Sequence, residues 1–387
     1  MNVTLLSDCS VSEITSSHPG LGQVCAYPAT AVQSDGTVVC IYRAGSSSHS
    51  YDGLTVSQAS HDQGQTWSAP VVLFDGRDFD PPQSMIQPVI VAPADGSFLA
   101  ISPVVVGTAT AANPLTSHEG FSQQRHFYKN HSYDGGNVWT PPERVAHLTI
   151  PKLGLSGKSF VLPNQELFIN AAYPPETGSR VAAACFSSDH GKTIGPVTDL
   201  FQDPDHLWNY DEANYTTFPD GTILGLYWTW HSDDHQRMDI QTTAPVHRSL
   251  SQDNGRTWSL PQPTNLNGQV SSPRAIDGQI VLVASNYRAH PAGIRLWVSY
   301  DRGKTFDDQN VIQMWDPEAE QITACPLQAE PLTSDHLDNR SLDSFQFGLP
   351  ELHLLHDGSL LLTYWAKQNN IVQVRCCRFR VDLAGKP

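Results

Sequence analysis

Two carboxylates, Asp52 and Glu212, are the side chains of this sequence best suited to bond-breaking chemistry. Paired acids on either side of a sugar are what glycoside hydrolysis requires. One protonates the bridging oxygen, and the other activates water or attacks the anomeric carbon. One of the two is expected as proton donor and the other as base or nucleophile, with Arg43 pairing an acid and Arg43, Arg274 or Arg288 orienting the substrate. Charged groups aimed into a protein interior must be paired or functional. Tyr27, Trp228, Trp230 and Trp365 offer flat apolar faces for the C–H face of a sugar ring. Gln87 and His49 are expected at the same mouth, and Glu119, Arg125 and His126 flank a nearby strand. A plainer reading competes, since Tyr51-Asp52-Gly53 also has the composition of a turn and large aromatics are mostly core residues.

These residues share a pocket only if the chain repeats, and it does so in two interlocking patterns. Pro28, Pro88 and Pro350 each stand seven residues before an Asp-Gly pair, at Asp35, Asp95 and Asp357. Ala213 stands in the same relation to Asp220-Gly221 and Gly157 to Asn164-Gln165, while Pro273 precedes Asp277-Gly278 more closely. An apolar run follows each pair, at 37–42, 97–106, 167–172, 222–228, 279–285 and 359–365. Asp-Gly between such runs is a strong hairpin signal. The residues before the repeated position, Tyr27, Gln87, Ser156, Glu212 and Leu349, should face one pocket. So should the strand ends Arg43, Trp228 and Trp365, with Arg288 as an offset counterpart.

The second pattern is Ser-x-Asp-x-Gly-x-Thr-Trp, read most fully at 251–258 and recurring at 60–67, 132–139, 187–194 and 299–306. Val138 replaces the threonine once, and Ile194 or Phe306 replaces the tryptophan. The Asp accepts backbone N–H groups across a tight loop and the Gly takes φ > 0, so each copy is a strand–turn–strand corner.

The corner resembles the Asp-box of the sialidase-like (neuraminidase-like) superfamily, and five ordered copies carry that resemblance over nearly the whole chain. It implies an all-β, six-bladed β-propeller with four-stranded antiparallel blades, in agreement with the hairpins counted above. A single domain over residues 1–387 is expected, with the segment 3–14 completing the last blade. The resemblance also implies roles. A loop Asp eight residues before the first box is the family's acid/base, and Asp52 stands eight before Ser60. The run 211–221 is similar to the segment whose Glu assists the nucleophile, which puts Glu212 there, and Tyr42-Arg43-Ala-Gly45 resembles the segment before the acid/base loop. The departures point away from sialic acid: Ala26-Tyr27-Pro28 stands for Arg-Ile-Pro, Trp228 for a second arginine, and Leu349 for the tyrosine nucleophile. Without an arginine clamp a carboxylate lacks its bidentate partner.

The expected function is therefore an exo-acting glycoside hydrolase on a sugar other than sialic acid. The alternatives are a polysaccharide lyase on uronate-containing glycans, using the arginines, His49 and Tyr27, or a non-catalytic carbohydrate-binding propeller. Lys and Arg number 23 against 39 Asp and Glu, a net charge of −16, which argues against nucleic acid or an anionic membrane as partner. No cofactor is expected, because phosphate-loop, nucleophile-elbow and zincin motifs are missing, and no metal, because His231-Ser-Asp233-Asp234-His235 lacks ligand spacing. The start of the chain has no leader pattern and the seven cysteines no framework spacing. That suggests a cytoplasmic protein with reduced thiols, or a secreted one if a leader was removed. Oligomeric state is left open.

Overall fold

Asp-Gly turns bounded by β-branched and aromatic runs produce an all-strand chain. The computed structural model describes residues 1–12, 24–48, 50–106, 124–231, 244–288, 291–327 and 346–383, and every regular element among them is a strand. Each hairpin expected from the turn pattern forms; Val24–Val32, for example, pairs with Val38–Gly45 and Trp208–Thr217 with Ile223–His231. In the turns the Asp caps the strand that follows, as where the Thr37 N–H donates to Asp35 at 2.8 Å and the Thr222 N–H to Asp220 at 2.9 Å.

The all-β expectation holds, but the six separate four-stranded blades do not. The strands join into five sheets of eight, five, four, four and five strands. A hairpin count misses the long-range pairing that decides this. The parallel contact Val24↔Val372 fuses the first and last repeats into the eight-stranded sheet, which also includes Asn2–Ser10 paired antiparallel with Ile371–Asp382. A split inner strand, at Gln83–Met85 and Val89–Val91, and an added strand, Gln321–Pro326, account for the two five-stranded sheets.

The arrangement is propeller-like because the core is a succession of apolar clusters between neighbouring repeats. Val39 and Ile41 pack with Phe98, Ile101 with Ile169, Phe168 with Tyr215, Leu226 with Val283, and Leu282 with Leu362. Cys40 and Tyr42 then meet Leu361 and Cys376 and bring the last repeat back to the first.

The Asp-boxes hold this succession together. In the first, Asp62 accepts the Thr66 N–H at 2.8 Å and its hydroxyl at 2.6 Å, while the Ser60 hydroxyl donates to Asp62 and accepts the Gly64 N–H. The boxes at Asp189, Asp253 and Asp301 repeat the pattern. Gly64 has φ 84, and a Cβ there would lie 2.6 Å from Leu361 of the last repeat. Gly136, Gly191 and Gly303 lie as closely against Val39, Leu99 and Leu224. A motif that reads as a hairpin corner thus also spaces adjacent repeats.

Candidate functional site

On three inner strands the ladder slips at the same place. The register shifts between Ala26 and Ala29, between Asp211 and Asn214, and between Gly348 and Glu351. Tyr27, Glu212 and Leu349 occupy the slips with φ of 56°, 44° and 48°. A bulged residue is unpaired and its strand bends, while φ > 0 at a non-glycine residue costs about 1–3 kcal/mol and tends to mark functional positions. Pro28 and Pro350, which follow two of the slips, have no N–H with which to continue the ladder. The inner strands converge on a narrow axial space lined by Pro28, Gln87, Gly157, Asn214, Val270 and Leu349 among others.

Around this convergence runs a belt of charge. Burial pushes the Glu212 carboxyl up to about 8, and neighbouring Asp211 adds to the effect against the attraction of Arg288 and Arg180. Asp211 is held by a 3.1 Å ion pair to Arg180 and by the Ser156 hydroxyl at 2.8 Å, and it accepts the Glu212 N–H. The Arg288 Nε donates to Gln269 at 2.8 Å, and its guanidinium lies over the Phe347 ring. Burial lowers Arg288 to about 9, opposed by Tyr27 and Glu212, so both groups lie near this cation. Gly348 leaves room for it, since a Cβ there would meet Arg288 at 3.0 Å and Trp365 at 3.1 Å. Trp365 is buried, with its ring edge-on to Tyr27 at 6.0 Å.

Arg43 is another cation next to Tyr27. It is fully buried and lowered to about 10 by desolvation, against the pull of Tyr27 and Asp52. Its guanidinium donates to the carbonyls of Met85 and Ser50 and to the Ser84 hydroxyl. Gly53 is obligatory here, because a Cβ would overlap the guanidinium at 1.4 Å. Asp52 accepts the Ser46 N–H and hydroxyl at 3.1 Å and the Ser50 hydroxyl. Despite partial burial, the Ser50 and Ser46 donors, with Arg43, hold it below the usual carboxylate range. Asp52 is therefore anchored within its own turn, and the neighbours Arg43, Tyr27 and Arg288 lead from it towards Glu212.

The environments of the two acids differ. Burial raises the Glu212 carboxyl, whereas hydrogen-bond donors hold the Asp52 carboxyl low.

Trp228 is the cross-strand partner of Asp211 and packs on Trp230 at 4.7 Å. Arg125 donates to the carbonyls of Lys152 and Leu153 and senses Arg180 and Asp211, so it belongs to the belt. His126, next along the strand, instead senses Arg144, and burial lowers it. Gln87 lines the axial space. Arg274 is elsewhere. Its strand Ser271–Ala275 pairs in unbroken register with no slip, and its guanidinium reaches the Leu352 carbonyl at 3.1 Å beside Glu351. His49, Glu119 and the run 232–235 lie outside the described residues, and no metal-ligand cluster occurs among the described ones. Asp211, Arg180 and Gln269 escape sequence reasoning. Asp211 offered a signal as a second acid beside Glu212, whereas Arg180 and Gln269 offered none.

Residues 36–362 match the model of the BNR repeat-like domain family. No curated protein matches the chain. Among solved structures, a protein of unknown function from Dyadobacter fermentans aligns with a TM-score of 0.68 at 15% identity, covering 98% of this chain and 100% of that one. The intramolecular trans-sialidase of Ruminococcus gnavus, in complex with oseltamivir carboxylate, aligns at 0.64 and 14% identity over 97% and 99% of the two chains. The NanB sialidase of Streptococcus pneumoniae gives 0.63 at 14% identity, over 96% of this chain and 71% of that one. At such identities the likeness is one of fold.

Proposed function

The chain belongs to the BNR repeat-like domain family, and we propose that it is a sialidase-like, exo-acting glycoside hydrolase on a sugar other than sialic acid. One observation carries this reading: a bulged strand turns Glu212 out of its ladder beside Arg288, in an environment that keeps its carboxyl protonated to about 8. A carboxylic acid protonated at neutral pH is the proton donor glycoside cleavage needs. Glu212 gives its proton to the glycosidic oxygen as the bond to the anomeric carbon breaks. Water adds to that carbon and yields its proton to the ionised carboxylate, Asp52. Arg288, Tyr27, Trp228 and Trp365 form the sugar-facing wall.

A sugar other than sialic acid is favoured by how the guanidiniums are used. Arg43 is committed to the Ser50 and Met85 carbonyls, Arg125 to those of Lys152 and Leu153, and Arg274 to the surroundings of Glu351. Leu349 stands where the family's resemblance places a tyrosine nucleophile. Aryl glycosides, sialosides and uronate-containing oligosaccharides, assayed beside Glu212→Gln, test the proposal. Turnover of a neutral glycoside that falls sharply in the variant supports it, and undiminished turnover in the variant ends it.

A second reading has its own observation. The Tyr27 phenol is adjacent to both Arg43 and Arg288, which would stabilise a phenolate. Such a base could take the C5 proton of a uronate as the C4–O bond breaks. Product absorbing in the near ultraviolet would select this lyase route over hydrolysis.

A further inference from the structure

Apart from the Glu212 belt, the interior holds a second cluster of ionisable groups. Lys158, Glu351 and His353 are 8%, 8% and 5% exposed, and Arg274 adjoins them. Glu351 accepts the Thr30 N–H at 2.7 Å and lies 3.4 Å from His353 Nε2. The Lys158 Nζ has no hydrogen-bond partner among the described residues, and neither has the Arg274 Nε.

The charges do not balance. Burial, with Lys158 and Arg274 nearby, holds His353 well below its ordinary value and hence neutral. With Lys158 protonated, two cations face one carboxylate. An uncompensated buried charge costs several kcal/mol, and an orphaned buried donor in a folded protein calls for a bound water or ion. Burial also lowers Lys158 to about 7, aided by Arg274 and opposed by Glu351, which is the response of an ammonium short of counter-charge. Gly157 and Glu351 line the axial space, whose other walls include Pro28, Pro88, Pro350 and Val270. Its free volume of about 10 Å³ gives room for roughly one water-sized ligand.

We propose that the axis carries a small inorganic anion of halide size, bound by the Lys158 Nζ and Arg274 Nε as the missing counter-charge. Its ligands come from the segment before Phe160–Val161 and from Ser271–Ala275, and it neighbours the acid of Phe347–Leu354. The anion therefore ties together repeats that are distant in sequence. Nothing in this depends on Glu212 or on the reaction it serves.

Chloride or bromide titrated against gluconate at constant ionic strength, with the melting temperature as readout, tests the site. The wild-type protein should show a saturating, halide-specific rise of about 2 °C or more. Lys158→Met should lose that rise and Lys158→Arg keep it. Equal responses to halide and gluconate, or an undiminished halide response in Lys158→Met, would overturn the proposal. Bromide-soaked wild-type crystals decide the matter if Lys158→Met does not fold. An anomalous peak within hydrogen-bonding reach of the Lys158 Nζ is expected, and its absence refutes the site.

Discussion

At the rim, Asp62, Asp189, Asp253 and Asp301 each spend their lone pairs on a threonine N–H, its hydroxyl and a serine hydroxyl of the same turn. These donors outweigh a modest desolvation and hold the acids below the carboxylate range, Asp189 at about 2. Toward the axis carboxyl groups meet the opposite treatment. Glu212 is desolvated next to another acid and pushed up to about 8, and Glu351 is also raised, chiefly by burial. Saturated acids make a scaffold; under-satisfied acids are available for chemistry or for binding. Asp52 has the position of an axial acid and the bonding of a rim acid, which is why its role is the weaker of the two.

Breaking the axial side should have the largest effect. Glu212→Gln is expected to lower kcat on unactivated glycosides by about 10²–10⁴-fold while leaving the melting temperature level or slightly raised. An equal loss of activity and stability would make Glu212 a rim-type acid.

The pH dependence sharpens the same contrast. With Glu212 as the acid, kcat/KM should fall as pH rises through about 8. Its folded-state pKa lies above the ordinary 4.5, so its contribution to stability is complete below 4.5 and is lost as pH climbs through about 8. Urea unfolding across that window should show this slope in the wild-type protein and not in Glu212→Gln.

Rim substitutions should act on stability alone. Gly64→Ala puts a side chain at φ 84 and 2.6 Å from Leu361. It should destabilise by roughly 1–3 kcal/mol with KM unchanged. The smallest effect belongs to the imperfect box, where Asp134 accepts the Val138 N–H at 2.9 Å but has no hydroxyl to accept from that side chain. Val138→Thr should supply it and stabilise by about 0.5–1 kcal/mol, read as a small rise in melting temperature.

Much of the site was legible for a specific reason. Tyr27, Glu212 and Leu349 were singled out because each precedes a repeated position, and all three prove to be bulge residues. Arg274, a candidate substrate-orienting arginine, lies on a strand in unbroken register and adjoins Glu351 instead of the Glu212 belt. Lys158, Glu351 and His353 were passed over because isolated charges in apolar strands say nothing of one another until the strands converge.

Taken alone, the chain determined what a few consecutive residues can decide among themselves: the hairpin turns, the self-capped Asp-boxes and the all-β character. Only the tertiary structure decided how the repeats join, as when Val24 meets Val372 to leave five sheets in place of six blades. It also decided which carboxyls lose water and which cations face them. Desolvation and Coulomb energy depend on distance through space, and the groups that set the state of Glu212 include Arg180 and Arg288, far from it along the chain.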